Sequence, residues 1–142
     1  MEFRLIGDGR LFDETVEAVR KFNNVIIEKN FLTQSGIAEL HKDYGVFLCP
    51  SRMDTQGVSR DEAMSSGLVP VTSRVGAIPE FLDDACGVLA DGDDYHGLAQ
   101  GIKNLVLNES TFAEKSRSAA SRARQQVGQD HIVESEVSLF SV

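Results

Sequence analysis

Short apolar runs alternate with stretches of helical periodicity along the chain. Residues 3–9, FRLIGDG, read as a strand ending in a glycine turn, and residues 11–22 place Leu11, Phe12, Thr15, Val16, Val19 and Phe22 on one helical stripe. Residues 24–30 read as a strand. Residues 34–42 read as a short helix, with Ser35 as its N-cap and Ile37, Ala38 and Leu40 inward. Residues 44–51, YGVFLCPS, form the most apolar strand, which Pro50 ends. A helix over 57–66 stops at Gly67, and residues 68–73 follow as a strand. Residues 77–83 make a short helix with Pro79 early, where proline is tolerated, and 87–91 a last strand. Residues 95–108 are helical with Leu98, Ile102, Leu105 and Val106 inward, and 109–126 and 131–140 are helical with weaker patterning.

Strands alternating with helices imply βαβ units, hence parallel strands covered on both faces. The predicted class is α/β: a Rossmann-like parallel sheet of about five strands over residues 1–108, with C-terminal helices, 109–142, packed on it. Ligands of such sheets bind beyond the carboxyl ends of the strands. That points to residues 7–10, 30–33, 51–57, 73–79 and 91–94.

The composition suits one soluble globular domain: 142 residues, 42% apolar and 25% charged. A formal net charge of −8 disfavours nucleic acid and anionic membrane as general partners. The charge is uneven. Residues 80–94 hold six carboxylates and no Lys or Arg, while 114–124 hold four cations against Glu114; both read as solvated surface. Cys49 and Cys86 sit in apolar company and read as reduced thiols of a cytoplasmic protein. Three scattered histidines give no metal motif, and no apolar run has the length of a membrane span.

Three segments carry candidate chemistry. The turn Gly7-Asp8-Gly9 follows a strand and opens a helix, as a phosphate-cradling turn would. Glu28, about 20 residues on, stands where an acid would meet a ribose, so an NAD-binding module is one reading and a plain tight turn another. The second segment runs from Pro50 to Val71. There a buried strand empties into a polar loop, and a glycine starts and another ends the next helix. The N–H groups of Gly57, Val58 and Ser59, with the positive helix end, can hold a pyrophosphate. Asp54 and Glu62 lie on either side of that start. Glu62 is roughly 7–8 Å along the axis, so a sugar and a ribose could each meet one carboxylate. Alternatively Asp54 caps the loop and Glu62 is solvated. The third segment, residues 73–80, offers Arg74 and the close-approach glycine Gly76 after another strand.

The order of these segments resembles the C-terminal half of retaining GT-B glycosyltransferases of the group 1 family. The matching stretches are Gly7-Asp8-Gly9-Arg10, Lys29-Asn30-Phe31, Pro50 through Val71, Gly76-Ala77-Ile78-Pro79-Glu80 and Gly87-Val88-Leu89-Ala90. The resemblance implies that Glu62 hydrogen-bonds the ribose of a UDP-, GDP- or ADP-sugar and that Asp54 contacts hydroxyls of the transferred sugar. These two are the catalytic-site pair. It further implies that amides of Gln56, Gly57 and Val58 face sugar and phosphate beside Ser51, and that Asn30, Phe31 and Leu32 pack against the base. Residues 76–80 border the site, and Gly7 and Gly9 form the family's glycine turn. No metal and no cofactor beyond the donor are implied.

The departures are specific. Asp54 stands where the family has Glu, Gln56 where it usually has Phe, and Leu32 where it has Gly. The family's first strand, its diphosphate-neutralising Arg/Lys segment and its acceptor-binding domain would precede residue 1. The chain therefore resembles a fragment, incompetent alone, completed in cis or in trans. Its acceptor is open, a membrane-associated one included, and so is oligomeric state. If the first strand is absent, either residues 3–7 and 44–50 pair directly or another chain fills the gap. A degenerate association domain without a ligand is the remaining alternative.

Overall fold

A computed structural model describes residues 1–141. Five parallel strands alternate with helices in the order β1 (Phe3–Gly7), α1 (Phe12–Glu17), β2 (Val25–Lys29), α2 (Gln34–His41), β3 (Val46–Cys49), α3 (Val58–Ser65), β4 (Val69–Arg74), α4 (Ile78–Phe81) and β5 (Val88–Asp91). Three helices follow: α5 (Tyr95–Leu107), α6 (Glu109–Val127) and α7 (Gln129–Phe140). The chain divides into two compact units, Met1–Ile37 and Ala38–Val142, and α2 runs across the division.

In the first unit β1 and β2 pair in parallel from Phe3 opposite Val25 to Gly7 opposite Lys29. Arg4 donates from Nε and Nη2 to Glu28 Oε1 across that pair, at 2.6 and 2.5 Å. The stripe expected over 11–22 is helical only through Glu17, and Val16 is its one buried residue. Beyond it the chain closes i,i+3 turns, Val19 N–H to the Val16 carbonyl and Phe22 N–H to the Val19 carbonyl, and Leu11 and Phe22 stay exposed. The start of α2 also differs from expectation. Thr33, not Ser35, caps it: its Oγ1 accepts from Gly36 N–H at 3.1 Å, and Ala38 is exposed.

In the second unit the sheet order is β3-β4-β5. The most buried strand is β4, not the apolar run at 46–49. β4 is flanked on both sides, whereas β3 has β4 as its sole partner among the described residues and leaves Leu48 41% exposed. Of the two arrangements expected for a missing first strand, the direct pairing of residues 3–7 with 44–50 is not formed among the described residues. β1 bonds to β2 and β3 to β4, so the five strands make two sheets rather than one.

Behind β4 the core gathers Met64, Ile78, Leu82, Cys86, Ala119 and Ala123. Two alanines let α6 approach α3 closely, and Ser116 Oγ ties α6 to the Gly67 carbonyl at 2.6 Å. α3 ends as its sequence predicts: Gly67 has φ +87°, and Gly67 and Leu68 N–H groups bond back to Met64 and Ala63. α5 buries Leu98, Ile102 and Leu105, while Val106 is exposed. The acidic and basic segments are not two separate solvated faces. Arg122 donates to Asp83 at 2.7 Å, and Lys115 Nζ donates to the carbonyls of Asp84 and Gly87. Both cysteines are free thiols, Cys86 fully buried and Cys49 partly.

Candidate functional site

The second unit assembles most of the predicted residues around the start of α3. β3 delivers the chain at Cys49, Pro50 stops the strand, and residues 51–57 follow as an irregular loop. Gly57 then turns the backbone into the helix with φ +83°, a left-handed conformation. No side chain caps this start. The N–H groups of the first turn have no intrahelical partner and stand at the positive end of α3.

Asp54 shapes the loop from inside. Its Oδ1 accepts from Gln56 N–H at 3.1 Å, and its carbonyl accepts from Ala77 N–H at 3.2 Å. The second bond ties the loop to the turn after β4. Gly76 makes that approach feasible: it has φ +52°, and a Cβ there would run into the Asp54 carbonyl oxygen. Gly76 is thus the backbone contact that holds Asp54 in place.

Glu62 lies half-buried on α3, between buried Asp61 and Ala63. Beside it His41 is buried, its Nδ1 3.2 Å from Ser66 Oγ, and Ser66 Oγ donates to the Glu62 carbonyl at 3.1 Å. Burial lowers the His41 pKa, and the negative charge of Glu62 pulls in the other direction. Burial thus favours the neutral imidazole, which sits hydrogen-bonded to Ser66 beside Glu62.

Two neighbouring residues escape a reading of the sequence as exposed charge. Arg60 is 1% exposed, and its guanidinium donates to Asp61 Oδ1 from Nε at 3.0 Å and Nη2 at 2.7 Å. Nη2 also donates to the Gln56 carbonyl at 2.6 Å, and the guanidinium carbon lies 5.1 Å from the centre of the Phe81 ring. Burial pushes the Asp61 carboxyl above its usual range, against the downward pull of Arg60. The signal was present in the spacing: Arg60 stands three and four residues before the core residues Ala63 and Met64, on the same helix face.

A cleft of about 390 Å3 lies beyond the carboxyl ends of β3 to β5, lined by Pro50, Arg52, Ser73, Asp93 and Tyr95 among others. It adjoins Ser51, but Asp54 and Glu62 do not line it. In the first unit, Gly7 and Gly9 have open space where a Cβ would stand, and Asp8 Oδ1 accepts from Gly9 N–H at 2.7 Å. Phe31, in the turn with Asn30 and Leu32, is 80% exposed. Glu28 is engaged by Arg4 as described. Among the described residues no group of three or more His, Cys, Asp or Glu could hold a metal ion. Among the described residues no helix is long and apolar enough to cross a membrane.

Residues 1–108 match the protein family described as glycosyl transferases, group 1. Over 131 residues the chain is 29% identical to alpha-maltose-1-phosphate synthase of Mycobacterium tuberculosis, which covers 87% of this chain and 34% of that protein. It is 32% identical over 127 residues to N-acetyl-alpha-D-glucosaminyl L-malate synthase of Bacillus anthracis, covering 87% of this chain and 32% of the relative. Among solved structures, HepE of Anabaena in complex with UDP-glucose superposes with a TM-score of 0.78 at 19% identity, over 96% of this chain and 41% of that one. That likeness establishes the fold. The chain spans about a third of the length of the curated relatives it matches.

Proposed function

Because the chain belongs to the group 1 glycosyl transferases, we propose that it is the nucleotide-diphosphate-sugar-binding part of a retaining hexosyltransferase acting in the cytoplasm. The observation that carries this reading is the uncapped, glycine-initiated start of α3 with Asp54 before it and Glu62 within it. A diphosphate is an anion that a free helix amino end can hold. Glu62 accepts the two ribose hydroxyls. Asp54, held by the Gly76 turn, meets hydroxyls of the sugar, and the amides of Gln56, Gly57 and Val58 line the passage between them beside Ser51. The resemblance assigns Asn30, Phe31 and Leu32 to the base, and the exposure of Phe31 agrees with that role.

During transfer the glycosidic bond to the diphosphate breaks and negative charge grows on the leaving oxygen. The positive end of α3 stabilises part of that charge. The remaining cations and the acceptor site belong, in this reading, to the rest of the protein or to a partner chain. The 142 residues alone are therefore expected to bind donor without transferring sugar.

A thermal-shift panel with millimolar UDP, GDP, ADP and NAD tests this. A ligand at 100 times its dissociation constant stabilises by about 2.7 kcal/mol, a shift of several degrees. One nucleoside diphosphate is expected to give that shift and Glu62→Ala to cut it by about half or more. Losing hydrogen bonds to a charged acceptor weakens binding by about tenfold or more. A response to NAD that Glu28→Ala removes and Glu62→Ala leaves intact would overturn the reading. No response to any of the four would favour a domain kept for association.

A further inference from the structure

The guanidinium of Arg60 has two N–H groups, both on Nη1, left unsatisfied. Nε and Nη2 are taken by Asp61 and the Gln56 carbonyl, while Nη1 is buried with no partner. An orphaned charged donor in the interior is costly, and native structures rarely keep one without a use. Its position shows what it faces. A Cβ built on Gly57 would stand 2.9 Å from Arg60 Nη1 and 3.3 Å from Asp54 Oδ2. The spare donor and the free oxygen of the Asp54 carboxylate are thus neighbours across the bare face of Gly57. The other oxygen of Asp54 already holds the loop through Gln56 N–H. The carboxylate of Asp61, also buried with one unpaired oxygen, prevents Arg60 from being drawn wholly to Asp54.

We propose that Arg60 is the positioning residue for the sugar-facing carboxylate: its grip on the Gln56 carbonyl and its spare Nη1–H set the Asp54–Gly57 turn so that Asp54 reaches the transferred sugar. The proposal rests on the donor-binding reading above and assigns to one buried residue the recognition of the hexose as distinct from the nucleotide. A guanidinium is suited to this because its rigid fork holds two acceptors, Asp61 and the Gln56 carbonyl, and still keeps Nη1 turned to the Gly57 side. A lysine ammonium, a single mobile point charge, cannot hold that geometry.

The test uses calorimetric titration of the 142-residue chain with UDP, GDP and ADP, each beside its sugar form, UDP-glucose, GDP-mannose and ADP-glucose. One nucleotide sugar is expected to bind more tightly than its own diphosphate. Arg60→Lys and Asp54→Asn are each expected to remove about tenfold of that advantage, beyond whatever smaller loss the diphosphate itself shows. The double variant is expected to be no worse than either single one, because Arg60 acts through Asp54. Equal loss for diphosphate and nucleotide sugar, additive single losses, or a parent with no sugar advantage would overturn the proposal. A second measurement needs no variant and holds even if Arg60→Lys fails to fold. In the 15N spectrum of the parent's guanidinium groups, the Arg60 Nη signals are expected to move with the nucleotide sugar and not with the diphosphate. Signals that respond alike to both would overturn it too. A parent that binds no diphosphate at all would remove the donor-binding reading and this inference together. Diphosphate binding weakened in Glu62→Ala, with no sugar dependence at Arg60, would remove the inference alone.

Discussion

Gly76→Ala is expected to lower stability by about 3–5 kcal/mol and to abolish the response to nucleoside diphosphates. Two effects add at this position. The backbone is left-handed at φ +52°, which costs an L-residue with a Cβ about 1–2 kcal/mol. The new Cβ also falls on the Asp54 carbonyl oxygen, which is backbone and cannot turn aside as a flexible side chain could. Relief requires the 51–57 loop to move, breaking the bond from Ala77 N–H to that carbonyl and carrying Asp54 away from its place before α3. Gly67→Ala separates the two effects. Gly67 is also left-handed, at φ +87°, but a Cβ there meets only Ser116 Oγ, at 3.4 Å. It should lose about 1–2 kcal/mol and keep the nucleotide response. Urea denaturation of both variants, with the thermal-shift panel alongside, decides the matter. If Gly76→Ala is no more costly than Gly67→Ala and still responds to ligand, the Gly76 turn does not hold the site.

This pair of glycines also shows which parts of the fold could be read from sequence. Helix α3 was legible because both of its ends are written in local chemistry: Gly57 opens it and Gly67 closes it, each with a positive φ. The alternation of strand and helix was legible for the same reason, since turns and proline mark the boundaries, as Pro50 does after Cys49. What escaped depends on tertiary position. Residues 44–51 make the most apolar strand, yet burial follows place in the sheet, and β4, with neighbours on both sides, is the more buried. Ala119 and Ala123 carry little hydrophobic signal, but their small size brings α6 into the core. Thr33 took the capping role expected of Ser35, a choice of two residues that only the path of the chain decides. In the candidate site, Asp54, Gly57, Glu62 and Gly76 stand out by residue type and spacing. Arg60 and Asp61 carry only the helical spacing of Arg60 to Ala63 and Met64, a signal that their adjacent opposite charges, which ordinarily mark a solvated surface, outweigh.

That buried pair gives the other large effect. Asp61→Ala is expected to destabilise by about 3–5 kcal/mol, since it removes the carboxylate but leaves the Arg60 guanidinium in the interior. Arg60 would keep only the Gln56 carbonyl and the face of Phe81. Asp61→Asn should cost far less, because an amide oxygen still accepts from Arg60 in the same volume. The two variants differ again with pH. Burial raises the Asp61 pKa, so the folded state keeps that proton to higher pH than the unfolded chain does. The stability linked to this carboxyl is fully present below the unfolded value and is lost as pH rises through the folded value. Asp83 runs in the opposite sense. The hydrogen bond from Arg122 lowers its pKa, so its contribution is present above the unfolded value and lost as pH falls through the folded one. Asparagine at position 61 abolishes the first dependence and leaves the second. Denaturation midpoints of parent and Asp61→Asn, followed from acid to neutral pH, should therefore converge as pH rises, while both lose stability at the acid end through Asp83. A parent–variant difference that stays constant with pH would mean that Asp61 keeps an ordinary carboxyl pKa in the folded chain. Arg60 would then hold a fully ionised partner throughout, and the cost of Asp61→Ala would arise from the ion pair with no part played by protonation.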